Sequence, residues 1–366
     1  MKNANSTHRY IFLDGLRMAA ALVVVLLHTS EMLPIHLSLP HADLAVDFFF
    51  CLSGFVLASA YESRLLNGLR VFSFIRMRLM RLYPMLFLAM IGGGTLLILR
   101  AAFTGLMPLK KAIILSISAI FLIPGGLFYG MQIFPTNNPA WSIFFELIAN
   151  VIYVLCINKL YKKSLLLFIF LNLLGLIYFA HINRGIGSLG FSNLSSYFGG
   201  IFRVNYSFFI GVFIFRNKSY FEKFTYFPKF GPYLTILLLA SLLFQCKQYE
   251  ILLNIMIITI IFPVIIGIGS GCVIEKRWKS IVITAGALSY PLYLIHYPIL
   301  IALWVVFVHF HNGGGVSPIV WASISFLLAL ICAYFVMIFY EIPVRRWLRE
   351  REQVDQTRII NANTTS

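Results

Sequence analysis

The sequence predicts an all-α membrane protein: a bundle of about ten transmembrane helices with one re-entrant or interfacial segment beside them. Three observations predict it. Of the 366 residues, 60% are hydrophobic and 11% charged, whereas a soluble domain carries roughly a quarter of its residues as charged. Apolar runs of the roughly 20 residues that a bilayer requires recur from one end of the chain to the other. The 29 lysines and arginines fall in short clusters between those runs, as the positive-inside rule expects.

The first run, residues 10–30, is too long for a secretory signal, contains Asp14 and Arg17 and lacks a small-x-small cleavage site. It is expected to remain as the first membrane helix. Further runs lie at 44–62, 82–101, 141–158, 164–181, 198–215, 232–248, 250–270, 281–308 and 318–340. The fourth opens on Asn138 and Pro139, residue types that start helices. The stretch "AIILSISAIFLIPGGLFYG" (112–130) breaks at Pro124, Gly125 and Gly126, leaving about 12 apolar residues, too few to cross.

Charge supports that reading of 112–130. If the stretch does not cross and the N-terminus is cytoplasmic, 22 of the 29 basic residues lie inside: Lys2 and Arg9, Arg64 to Arg81, "KLYKK", Arg216 to Lys229, Lys276 to Lys279, and Arg345 onward. Arg100, Lys110, Lys111, Arg184 and Lys247 fall outside, and Arg17 and Arg203 lie within spans. A crossing would turn every later cluster outward. Both termini are therefore expected in the cytoplasm, with residues 1–348 forming one membrane domain and 349–366 a polar, disordered cytoplasmic tail. The net charge of +16 needs no nucleic acid to explain it, since it is accounted for by these clusters. Of the five cysteines, Cys51, Cys156, Cys246 and Cys332 sit in or beside apolar runs and Cys272 borders one. None has metal-ligand spacing, so neither a disulfide nor a metal is expected.

The polar residues inside the runs carry the functional information, because ionisable groups at membrane depth are costly and face a bundle interior or a wet cavity. In "LRMAAALVVVLLH", Arg17 and His28 are 11 residues apart, which returns to within about 20° of one helix face and separates them by about 16 Å along the axis. Asp14, one turn before Arg17, can pair with it. The bland reading is a structural Asp14–Arg17 pair and a His28 that snorkels to the headgroups; the functional one makes His28 a general base. Asp47 begins the second span as a ligand or a helix cap, with Ser53 and Gly54 allowing close helix approach. Arg76, Arg78 and Arg81 precede the third span; they anchor it or bind phosphate oxygens. Trp141 suits an interfacial belt. Glu146, a turn and a half inside the fourth span, needs a partner, for which Arg203 in the sixth is the candidate. Tyr290, Tyr293 and His296 lie midway along the ninth, Tyr293 and His296 on one face, serving either function or structural hydrogen bonding.

In order, the segments "LDGLRMAAALVVVLLH", "VDFFFCLSGFVL", "RMRLMRLYP", "WSIFFE", "FRVNYSFFIGVFIF" and "LSYPLYLIHYPIL" resemble the integral-membrane acyltransferase 3 family, which modifies bacterial surface polysaccharides and other acceptors. Each segment alone is weak; six in order across nearly the whole chain are specific. The resemblance implies a ten-helix bundle in the bacterial cytoplasmic membrane that transfers an acyl group, commonly from acetyl-CoA, to a hydroxyl of an extracytoplasmic glycan or lipid-linked sugar. The family's first-helix arginine and histidine fall on Arg17 and His28, its R-x-x-R motif on Arg78 and Arg81 with Arg76 adjoining, and its W-S-x-x-x-E element on Trp141, Ser142 and Glu146. Many members carry a fused SGNH hydrolase-like domain that completes transfer; none follows in this sequence, so the chain is expected to act alone or with a separate partner.

Together these readings make His28, Arg17, Glu146 and Asp14 the candidate catalytic residues, and Arg76, Arg78 and Arg81 the candidates for acyl-CoA. Asp47, Trp141, Ser142, Arg203, Tyr293 and His296 are the candidates for the acceptor. His28 acts as base or nucleophile, Glu146 orients it or the sugar, and Arg17 or Arg203 stabilises the oxyanion. The rival readings are a proton-coupled permease, against which the asymmetric arginines and the lack of paired broken helices argue, and a non-catalytic component of glycan export.

Overall fold

A computed structural model describes residues 9–32, 37–222, 230–244, 249–311 and 317–352. Lys2, the Lys223 to Lys229 end of its cluster, Cys246, Lys247 and the tail beyond Glu352 lie outside the described residues. The chain is all helical, with no strand among the described residues. The helices are α1 (Ile11–Met32), α2 (Ala45–Leu66), α3 (Val71–Thr104), α4 (Leu109–Ile120), α5 (Ala140–Cys156), α6 (Lys162–Ile182) and α7 (Leu194–Arg216). After the single turn α8 (Lys218–Glu222) come α9 (Phe230–Leu243), α10 (Glu250–Met256), α11 (Phe262–Gly269), α12 (Lys276–His311) and α13 (Pro318–Val336). A π-helical turn, Ile257–Ile261, joins α10 to α11 into one rod; another, Met337–Glu341, carries α13 on to Glu352. Four residues assigned to the tail thus continue the last helix.

Among the described residues, nine helices are long and apolar enough to cross a bilayer. The tenth expected crossing is α9, which has only 14 residues. Its ends nevertheless bracket the bundle: Gly231 packs on the Phe12 ring at the start of α1, and Phe244 lies against His41 beyond the other end of α1. The 12-residue α4, about 18 Å long, is too short to cross. It packs against α3 and gives way to a 3-10 segment at Gly125–Tyr129.

Two helix pairs build the centre. Glycines bring α2 and α7 into backbone contact: a Cβ on Gly54 would lie 1.9 Å from the Phe208 carbonyl oxygen, and one on Gly211 would lie 2.0 Å from that of Cys51. Likewise α1 lies along α12, where a Cβ on Gly286 would lie 2.6 Å from the Asp14 Cβ. On the outside, α6 turns Leu166, Leu167, Phe170, Leu171 and Leu174 outward, the face a lipid environment requires.

Candidate active site

A cavity of about 750 Å³ runs into the bundle between α1, α2, α3, α5 and α12. At one end stand Arg9, Arg81, Arg345, Arg349 and Glu352, the last three on the extension of α13; at the other it is lined by Phe49, Ser142 and Tyr293. Arg17, Arg78 and Glu146 line the wall between.

The first-helix stripe forms as the 3.6-residue period requires. Arg17 Nη2 lies 3.2 Å from Asp14 Oδ1, and Asp14 Oδ2 accepts from Arg9 Nε at 2.7 Å. Arg17 is further held by α12, donating from Nε to Ser289 Oγ at 2.8 Å and from Nη2 to the Gly286 carbonyl at 2.5 Å.

Glu146 does not pair with Arg203. Its Oε1 accepts from Arg78 Nη2 at 2.9 Å and from Ser53 Oγ at 2.6 Å. The reason is helix length: α3 begins at Val71, so Arg78 enters the bundle on its second turn and meets a carboxylate descending from the opposite end on α5. Arg76, on the other side of that turn, is exposed and absent from the cavity wall, so the three arginines do not form one cluster. Arg81 lines the cavity with Arg17, Arg78 and Arg345 as charged neighbours. Arg345 is committed to Glu341 at 2.8 Å. Among the described residues no carboxylate pairs with Arg81 or Arg349.

Arg203 belongs to a separate buried cluster. Its guanidinium is 0% exposed and forks onto Asp47, with Nε 3.1 and 3.0 Å from the two carboxylate oxygens and Nη2 2.6 Å from Oδ2. It also donates to the carbonyls of Ile186, Leu189 and Asp43. Asp47 is therefore an ion-pair partner and not a helix cap; no side chain caps α2. Trp141 is not at an interface either: its ring is 5% exposed and lies 5.3 Å beneath the Arg203 guanidinium. None of these three residues lines the cavity.

Behind Tyr293 lies a histidine pair. His28 Nδ1 is 2.8 Å from His296 Nε2, and the rings stack with centroids 5.1 Å apart; Tyr297 meets the His28 ring edge-on at 5.5 Å. Tyr293 stands between this pair and the cavity, 6.2 Å from the His296 ring and 5.6 Å from the Phe49 ring, with its hydroxyl 2.8 Å from Ser142 Oγ. The hydrogen-bond partner of His28 is therefore His296, whereas Glu146 is bonded to Arg78 and Ser53. Arg17 is bonded to Asp14, Gly286 and Ser289, and Arg203 to Asp47 and the carbonyls around it; neither is bonded to an imidazole.

The sequence reading names neither Gly286, Ser289 nor Arg349 as a site residue, and takes Ser53 only for helix packing and Arg345 only for a cytoplasmic basic cluster. A signal for two of them was present: Gly286, Ser289, Tyr293 and His296 are spaced 3, 4 and 3 apart, one continuous helix face, and that is the face set against Asp14, Arg17 and His28.

Residues 10–338 match a family described as an acyltransferase domain. A protein of Rhizobium radiobacter described as "Protein 2 in picA locus" is 36% identical over 163 residues, covering 40% of this chain and 81% of that relative. No solved structure matches. Because the family match starts one residue before α1 and takes in the histidine pair, the Arg78–Glu146 pair and the Asp47–Arg203 cluster alike, the chain belongs to the acyltransferase 3 family of membrane proteins.

Proposed function

We propose that the protein transfers an acyl group, most simply acetyl, from a cytosolic acyl-CoA to a hydroxyl of an extracytoplasmic glycan or glycolipid. One observation carries this reading: the cavity leads from an arginine-rich end to an end lined by Phe49, Ser142 and Tyr293, where the Tyr293 ring packs against one member of a histidine pair. By the positive-inside rule the arginine-rich end faces the cytoplasm of a bacterium. A donor with a polyanionic head and a thioester at the tip of a long arm suits such a polarised cavity, whose volume is within the range of small-molecule sites.

In this mechanism the donor phosphates engage Arg81 and Arg349, the cavity-lining arginines with no carboxylate partner among the described residues, and the arm follows the wall past Arg17. Tyr293 gives access to the histidines by releasing Ser142 and turning aside. The acceptor hydroxyl then attacks the thioester carbonyl while His28 takes its proton. The C–S bond breaks, the proton passes to the departing thiolate, and the products are the acyl ester and free CoA. Were His28 instead to attack the carbonyl itself, it would use the same nitrogen lone pair.

The test is to supply acetyl-labelled CoA to inverted membrane vesicles made with and without the protein, and to measure CoA binding by the purified protein. Alkali-labile label in the glycan fraction, present only with the protein, is the expected result. Absence of both label and CoA binding would overturn the reading and favour a permease or an export component. A companion expectation concerns the head group. Arg81→Ala should raise the KM for acyl-CoA about 10- to 100-fold with kcat nearly unchanged, because a charged hydrogen bond is worth about 1.5–3 kcal/mol and this one binds ground and transition states alike; initial rates against donor concentration measure it.

A further inference from the structure

The hydrogen bonds of the histidine pair determine which nitrogen of each ring carries the proton. His296 Nδ1 lies 2.9 Å from the Leu292 carbonyl oxygen. A carbonyl only accepts, so that nitrogen bears the hydrogen. A neutral imidazole has one N–H, hence His296 Nε2 presents a lone pair. The 2.8 Å contact from that atom to His28 Nδ1 then requires the hydrogen on His28, leaving His28 Nε2 bare. A charge on either ring would be uncompensated, since among the described residues no carboxylate bonds to either histidine; for the fully buried His296 such a charge is strongly disfavoured.

We infer that His296 is a positioning residue that holds His28 in its Nδ1–H form and presents the His28 Nε2 lone pair to the reacting groups. The Leu292 carbonyl, one turn earlier on α12, is the fixed end of this relay. The inference deepens the acyl-transfer reading and rests on it for the identity of the reaction, though the proton placement stands on geometry alone. Both base and nucleophile chemistry need an unprotonated Nε2, and which nitrogen is free is set by the bond the other makes. His296 does not line the donor cavity, so it acts through His28 and not through donor binding.

Full-length protein labelled with 15N-histidine, held in lipid nanodiscs, reports the proton positions directly. The wild type is expected to show His28 protonated at Nδ1 and bare at Nε2. His296→Leu, which removes the acceptor at similar volume, should lose this signature and lower kcat by about 100-fold or more with the KM for acyl-CoA unchanged. His296→Gln, whose side-chain oxygen can accept from His28 Nδ1–H, should keep the signature and retain activity within about 10-fold of wild type. Protonated Nε2 on His28 in the wild type would overturn the inference, as would a folded His296→Leu with wild-type kcat. If His296→Leu does not fold, the wild-type spectrum and the Gln variant still decide. If the wild type shows the expected signature but transfers no acyl group, the acyl-transfer reading has failed and the positioning has not.

Discussion

Replacing His28 with alanine is expected to abolish acyl transfer, lowering kcat by about 10²- to 10⁴-fold, the contribution typical of a positioned general base, while leaving CoA affinity intact. The second half of that expectation comes from geometry. His28 does not line the cavity; it sits behind Tyr293, bonded to His296. Its removal leaves His296 Nε2 without its donor, at a stability cost of about 1–3 kcal/mol, which a bundle of this size tolerates. The measurement is alkali-labile acetate in envelope and secreted glycans of a deletion strain complemented with each form, with CoA binding of the purified variant alongside. Acetate restored by His28→Ala to the wild-type level would remove His28 from the chemistry. Loss of both acetate and CoA binding would instead place His28 in donor binding.

How far the sequence foretold this arrangement depends on what hydropathy and periodicity can see. They read depth and helix face, and both were right for α1: Asp14 meets Arg17 at 3.2 Å, and Arg17 and His28 both face α12. Likewise α4 stops at Ile120, just ahead of Pro124, Gly125 and Gly126, before it can cross. Neither property reports which helix lies opposite. Glu146 was matched to Arg203 because both enter from the same end, yet its true partner is Arg78, 68 residues away on a helix running the other way. Arg203 in turn meets Asp47 across 156 residues, and the two histidines meet across 268. Arg76 shows the finer limit: it lies two positions before Arg78, and alternate positions on a helix point in different directions, so proximity in sequence did not put it on the cavity wall.

Replacing Arg203 with alanine is expected to destabilise the protein by about 3–5 kcal/mol, the range found when one partner of a buried ion pair is removed. The environment leaves little room for relief. Asp47 is 0% exposed; without the guanidinium its remaining donor is Ser207 Oγ at 3.2 Å, and the carbonyls of Ile186, Leu189 and Asp43 lose their shared donor together. That single side chain ties α7 both to the start of α2 and to the segment before α7, and the Trp141 ring beneath it adds α5. The variant should therefore show a lowered unfolding temperature in detergent and a reduced folded yield. Arg203→Met with Asp47→Leu should recover part of the loss, because it removes the stranded Asp47 charge and replaces the buried pair by apolar groups of similar volume, while the carbonyls of Ile186, Leu189 and Asp43 stay without their donor in the double variant as in the single one. Recovery of the fold in the double variant, with acyl transfer restored, assigns the cluster to architecture. A double variant that is as stable as wild type yet inactive would return Arg203 and Asp47 to the acceptor-binding role that their position in the sequence suggested.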